Sequence, residues 1–230
     1  VSFLLEIAVE SLAAAKAAER AGADRIELCA NLSDGGLTPS EQMMLQAREN
    51  VRIPIFVMIR PCPGNFVYDQ AEFATMQSQI TLAREMKMDG VVLGILTPGN
   101  TVDIVRTKQL VDLANLPVTF HRAFDDLPDQ SKALEDIIAT GASRILTSGG
   151  SASAEDGAER IRGLVEATGS RMIVMPGAGI NAENFADVRR RTGAKEFHSG
   201  LGTVLPYGSS DFARFENGVR QIVAQKAQTF

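Results

Sequence analysis

The sequence predicts an α/β fold, a TIM-type (β/α)8 barrel in a single domain over residues 1–230, on three observations. Short apolar runs recur eight times along the chain. The stretches between them return apolar residues at spacings of three and four, as amphipathic helices do. No Pro/Gly/Ser-rich linker interrupts this alternation. Repeated β-then-α units with right-handed crossovers close most naturally at eight.

The strand candidates are SFLLEIAV (2–9), DRIELC (24–29), PIFVMIR (54–60), GVVLGIL (90–96), PVTFHRA (117–123), SRILTSG (143–149), RMIVMPG (171–177) and KEFHSG (195–200). Segments such as SLAAAKAAERAGA, AEFATMQSQITLAREMKM and SKALEDIIATGA supply helices between them. Gly-Ala pairs at 22–23, 141–142 and 193–194 stand where a helix must turn into the next strand. Gly177-Ala178-Gly179-Ile180-Asn181-Ala182 imitates a dinucleotide-binding fingerprint. Only one strand candidate follows it, whereas a Rossmann half needs further βα units, so the match is a decoy.

Composition excludes several classes of function. The chain holds 23 Lys and Arg against 28 Asp and Glu, a net charge of −5, with no basic run to attract nucleic acid. With 45% hydrophobic and 22% charged residues it is ordinary globular material, and no stretch approaches the roughly 20 apolar residues of a membrane span. The opening VSFLLEIAVESLAAAKAAER lacks a basic n-region and carries Glu6 inside its apolar run. It reads poorly as a secretory signal, and a cytoplasmic location is expected.

Barrel strands alternate between helix layer and interior, and the parity here is unusual. Ile26 and Leu28 face outward, which turns Arg25, Glu27 and Cys29 inward. The same counting puts Glu6, Met58, Arg60, Thr119, His121, Glu196 and His198 on the inside. Ionised groups are costly to bury alone, so Glu6, Glu27 and Arg60 either neutralise one another or face a solvated cavity. Active sites of this fold lie at the C-terminal ends of the strands, where Glu27, Arg60, His121 and His198 fall. The candidate catalytic set is therefore Glu6, Glu27, Arg60, His121 and His198: a carboxylate pair, a cation, and the only two histidines of the chain.

The loops after the last three strands read TSGGSAS, PGAGINAEN and HSGLG. Small residues with exposed N–H groups suit an anion, and Ser148, Gly149, Gly177, Gly179, Ser199 and Gly200 are the candidate phosphate or anion contacts. Cys29 and Cys62 follow neighbouring strands. Two thiolates on one rim can share a soft ion such as Cu(I), so they are the candidate metal ligands.

Five blocks taken together, IELCANLSDGGLTPS (26–40), IPIFVMIRPCPGNFVY (53–68), LPVTFHRAFD (116–125), RILTSGG (144–150) and VMPGAGI with EFHSG (174–180 and 196–200), resemble the CutC family of copper homeostasis proteins. The resemblance runs from about Leu5 to Gly200. It implies a cytoplasmic TIM barrel with a short or displaced last helix, often oligomeric, and in some members Cu(I) held by cysteines. Some members carry a cysteine where this chain has Ala8, and their RPRGGDF block appears here as Arg60-Pro61-Cys62-Pro63-Gly64-Asn65-Phe66. Only Cys29 matches a family thiol, so a two-thiol Cu(I) site requires Cys62 to substitute for the missing one. Two functions are expected from these readings: copper homeostasis with Cu(I) at the rim, or an isomerase- or lyase-type enzyme acting on a small anionic or phosphorylated molecule.

Overall fold

A computed structural model describes residues 2–201 and 211–227. Eight parallel strands stand in the order β7-β6-β5-β4-β3-β2-β1-β8: β1 Leu4–Val9, β2 Arg25–Leu28, β3 Ile55–Met58, β4 Gly90–Leu93, β5 Val118–Phe120, β6 Arg144–Thr147, β7 Ile173–Pro176 and β8 Glu196–Ser199. Every adjacent pair in that order is joined by a parallel ladder. Between β7 and β8 no ladder is formed, so the barrel is nearly closed.

Each strand is followed by a helix: α1 Leu12–Arg20, α2 Glu41–Asn50, α3 Gln70–Glu85, α4 Ile104–Ala114, α5 Gln130–Thr140, α6 Ala158–Thr168, α7 Phe185–Thr192 and α8 Phe212–Ala224. Their starts are written in the sequence. Ser11, Ser40, Asp69, Asp103, Asp129 and Asp211 each accept an N–H of the first turn, and Asp69 and Glu72 form a reciprocal capping box. Gly141 and Gly193 end α5 and α7 in the left-handed region, at φ 86° and 67°. The last helix is neither vestigial nor detached: α8 has 13 residues, and Arg20 of α1 pairs with its Glu216 at 2.5 Å.

The main core lies between sheet and helices. Ile7, Ile26, Leu28, Val57, Val91, Phe120, Ile145 and Phe197 project outward into it and are fully buried. Phe3, Phe185 and Phe197 pack there as a cluster with centroids 4.5 to 5.9 Å apart. A second, smaller apolar cluster of Cys29, Phe56, Met58 and Val92 lies inside the barrel. Apolar side chains do not fill that interior alone, and what completes it is charge.

Candidate active site

Inside the barrel the charged residues occupy two levels. On the lower one, Arg25 of β2 pairs with Glu6 of β1 and, at 2.8 Å, with Glu196 of β8; Arg144 of β6 lies 3.2 Å from the same Glu196. The Phe56 ring is held between the two guanidinium groups, 4.7 Å from Arg25 and 4.9 Å from Arg144. Gly90 makes room for it, since a Cβ there would lie 2.5 Å from the ring. Glu6 is wholly buried. Burial alone would raise its pKa, but Arg25 and His198 outweigh that and hold it down at about 2.

The second level is the mouth. Glu27, Met58, Arg60, Phe66, His121 and His198 line a cavity of about 330 Å³, with Asp34, Arg122 and Asp126 among the remaining lining residues. Cys29, Arg60 and His121 lie just past the ends of β2, β3 and β5, which lifts them towards the C-terminal rim. Glu6 passes the influence of the lower level upward: its Oε1 is 2.7 Å from Nδ1 of His198, whose Nε2 lies 3.8 Å from Oε2 of Glu27. Burial pushes the Glu27 carboxyl up. For His198 burial acts downward, yet Glu27 and Glu6 prevail and raise it.

His121 behaves oppositely. Burial first, then the nearby Arg60 cation, push it down to about 3, so the ring is neutral. Its Nδ1 accepts the N–H of Ala123 at 3.2 Å, which leaves the proton on Nε2. Arg60 is 5% exposed and donates through its Nη atoms to the carbonyls of Asp34, Gly36 and Gly64. Phe66 lies against both, 4.8 Å from the guanidinium and 4.8 Å from the His121 ring. It does so from φ 64°, a strained conformation for a bulky residue, fixed by the bond from the Leu96 N–H to its carbonyl at 2.9 Å. Among the described residues, three buried polar atoms of the mouth have no partner: Oε1 of Glu27, Nε of Arg60 and Nε2 of His121.

The structure thus brings Glu27, Arg60, His121 and His198 to one cavity and leaves Glu6 beneath it. Of the two alternatives for Glu6, Glu27 and Arg60, mutual neutralisation is not the one formed: Arg25 takes Glu6, and Arg60 turns to main-chain carbonyls. The thiols have separate surroundings: Cys29 Sγ lies 3.5 Å from Oε2 of Glu27, and half-buried Cys62 donates to Oε1 of Glu72 on α3 at 3.1 Å.

The glycine loops are largely occupied from within. The Asp125 carboxylate accepts the N–H groups of Ser148 and Gly150 and the hydroxyls of Thr147 and Ser148, in the place expected for an external anion. Gly149 and Gly177 donate to Thr147, the Gly179 carbonyl takes the Asn184 amide, and Ser199 donates to the Ile180 carbonyl. Gly200 is also bonded. Asp125 closed the quoted block LPVTFHRAFD, but its role depends on a turn packed beside β6 that the block does not show. Phe66 stood in a quoted motif, but nothing local announced its backbone.

The depressed Glu6 pKa has a measurable consequence. Unfolded, this carboxyl takes its proton near 4.5; folded, near 2. Between those values the unfolded chain binds more protons, so the contribution of Glu6 is complete above pH 4.5 and is lost as pH falls towards 2. Urea unfolding between pH 5 and 2.5 is expected to show stability declining in the wild type and less steeply in Glu6→Gln. Equal slopes would remove Glu6 from the acid response.

A parallel eight-stranded barrel with an ionisable cavity at its C-terminal rim defines a TIM-barrel protein. Within that class the chain belongs to the CutC family, whose model matches residues 3–203. It is 47% identical over 206 residues to a family protein CutC of Xylella fastidiosa strain 9a5c, covering 89% of this chain and 77% of that one. To the copper homeostasis protein cutC homolog of Homo sapiens it is 45% identical over 197 residues, 85% and 72% of the two chains. A crystal structure of a CutC protein from Streptococcus agalactiae superimposes with a TM-score of 0.82 at 38% identity, over 87% of this chain and all of that one. Among the described residues no helix is long and apolar enough to cross a membrane.

Proposed function

We propose that the mouth binds a small anion and performs acid–base chemistry on it, as an isomerase- or lyase-type enzyme of the cytoplasm. The observation that carries this is Arg60. It is a buried cation facing a cavity, with no carboxylate paired to it among the described residues. A guanidinium in that state is costly unless a ligand supplies the negative charge. Around it stand groups that hold or move a proton: Glu27 and His198 on one side and neutral His121 on the other. Glu6 is a positioning residue that fixes the His198 ring through Nδ1, leaving Nε2 towards Glu27.

The test is ligand-induced stabilisation. Saturation at about a hundred times Kd is worth ~2.7 kcal/mol, and a chain of this size gains some 2–4 °C per kcal/mol. Short carboxylates and organic phosphates are therefore expected to include compounds that raise Tm by roughly 5–10 °C. Arg60→Gln is expected to abolish that rise. A broad panel without response would overturn the reading.

Copper handling is the second reading, and the name of the human relative supports it. The donors fit Cu(I) poorly. That ion prefers thiolate and thioether sulfur, whereas burial, then Glu27, keeps the Cys29 thiol protonated far above its ordinary range. Cys62 is pushed up to about 11 by burial and by its own partner Glu72. The donor atoms that do cluster, within 4.8 Å of one another, belong to Glu6, Glu27 and His198, a hard oxygen and nitrogen set whose Glu6 already serves Arg25 and His198.

A further inference from the structure

The unpartnered atoms of the mouth define the substrate more closely than its charge does. Arg60 Nε and His121 Nε2 are both N–H donors, both buried, and both belong to side chains packed against Phe66. Glu27, which lines the same cavity, has a buried and unpartnered Oε1, while its Oε2 has the Cys29 thiol at 3.5 Å and His198 Nε2 at 3.8 Å. Two donors and a separate carboxylate oxygen suit a reaction in which one oxygen of the substrate gains charge as a proton leaves a neighbouring atom.

We infer that the substrate is a small anionic carbonyl compound with a C–H next to the carbonyl, and that Glu27 exchanges this proton while Arg60 and His121 hold the carbonyl oxygen. The inference rests on the reading of the rim as an anion site and adds the bond that changes. Glu27 Oε1 takes the proton from the carbon. The C–H electron pair becomes the C=C bond of an enolate, and the carbonyl π pair moves onto oxygen. The N–H groups of Arg60 and His121 donate to that oxygen. Reversal returns a proton from the same carboxyl to the same carbon or, after rearrangement within the enediolate of a hydroxy ketone, to its neighbour. Atoms and charge balance with no further reactant.

A neutral imidazole suits this task. As a donor of weak acidity it stabilises an enolate oxygen without surrendering its proton, as an imidazolium would. Burial beside the Arg60 cation keeps His121 in that neutral form. Gly94 keeps it in place, since a Cβ there would lie 2.6 Å from the ring. At about 330 Å³ the cavity lies near the lower end of ligand pockets, which limits the substrate to a few carbons.

The experiment is proton NMR in D2O with pyruvate, 2-oxobutyrate, acetoacetate and dihydroxyacetone phosphate, each at saturating and subsaturating concentration. Binding is followed in parallel by thermal shift. Protein-dependent replacement of the C–H signal by C–D is expected for at least one compound. Glu27→Gln, close to isosteric, is expected to lose about 10²–10⁴-fold in exchange rate while keeping the thermal response. His121→Asn retains an acceptor for the Ala123 N–H but lacks the Nε2 donor, and is expected to lose about 10²–10³-fold. Thermal shifts without exchange above buffer would overturn the enolisation inference and leave the anion site standing. Neither binding nor exchange would overturn both. Exchange that survives Glu27→Gln undiminished would overturn the assignment of Glu27.

Discussion

Replacing Arg25 by methionine is expected to destabilise the protein by about 3–5 kcal/mol, the range found when one partner of a buried ion pair is removed and the other stays charged. Methionine fills much of the same volume, so the loss is chiefly electrostatic. It would leave Glu6 with only His198, and Glu196 with only Arg144. It would also remove one of the two cations that hold Phe56. For a chain of this length the fall in Tm is on the order of 10 °C. Urea unfolding checks the figure, and the triple variant Arg25→Met, Glu6→Gln, Glu196→Gln isolates its origin. With the stranded carboxylates neutralised, the triple variant is expected to be more stable than the single one. A single variant within 1 kcal/mol of wild type would show that the lower level does not hold the barrel together.

Gly94→Ala is expected to act at the mouth with nearly as large an effect. The added methyl would lie 2.6 Å from Cε1 and Nδ1 of His121, and the 4% exposed ring has little free space to move into. Turning the ring breaks its bond with the Ala123 N–H and leaves that donor without a partner. Overpacking and the orphaned donor together cost about 2–5 kcal/mol. The reoriented ring no longer presents Nε2 to the cavity. Thermal unfolding reports the first effect and ligand-induced Tm shifts the second. A variant that folds with full stability and responds normally to anions would mean that His121 tolerates displacement and is not a fixed donor.

Much of the architecture was readable in the chain because each barrel unit announces itself locally. Apolar runs marked the strands, and six of the eight helices begin behind a capping Ser or Asp. Strand parity turned Arg25, Glu27, Glu196 and His198 inward, where the structure has them largely buried. Parity gives a side of the sheet but not a height along the barrel axis. That is why pairing of Arg60 with Glu6 stayed open as one of two alternatives. The ladder instead puts Glu6 opposite Arg25, and Arg60 stands two residues beyond the last residue of β3. Height depends on the stagger between strands, a property of closure that no single segment encodes. The same limit hid Phe66, whose backbone is fixed by Leu96, and Asp125, which fills the turn after β6 from a different segment of chain.

The pairing of Arg25 and Arg144 with Glu196 has a consequence for how such a chain comes into being. Synthesis proceeds from the amino end, and both guanidinium groups are made long before the carboxylate they share. A nascent chain ending after β6 carries two inward cations, of which, among the described residues, only Arg25 has a carboxylate partner, in Glu6. Six strands of the eight are therefore electrostatically unfinished, and docking of the eighth does more than complete the wall. It delivers the carboxylate that Arg25 and Arg144 share, so the wall and the counter-charge arrive with the same strand.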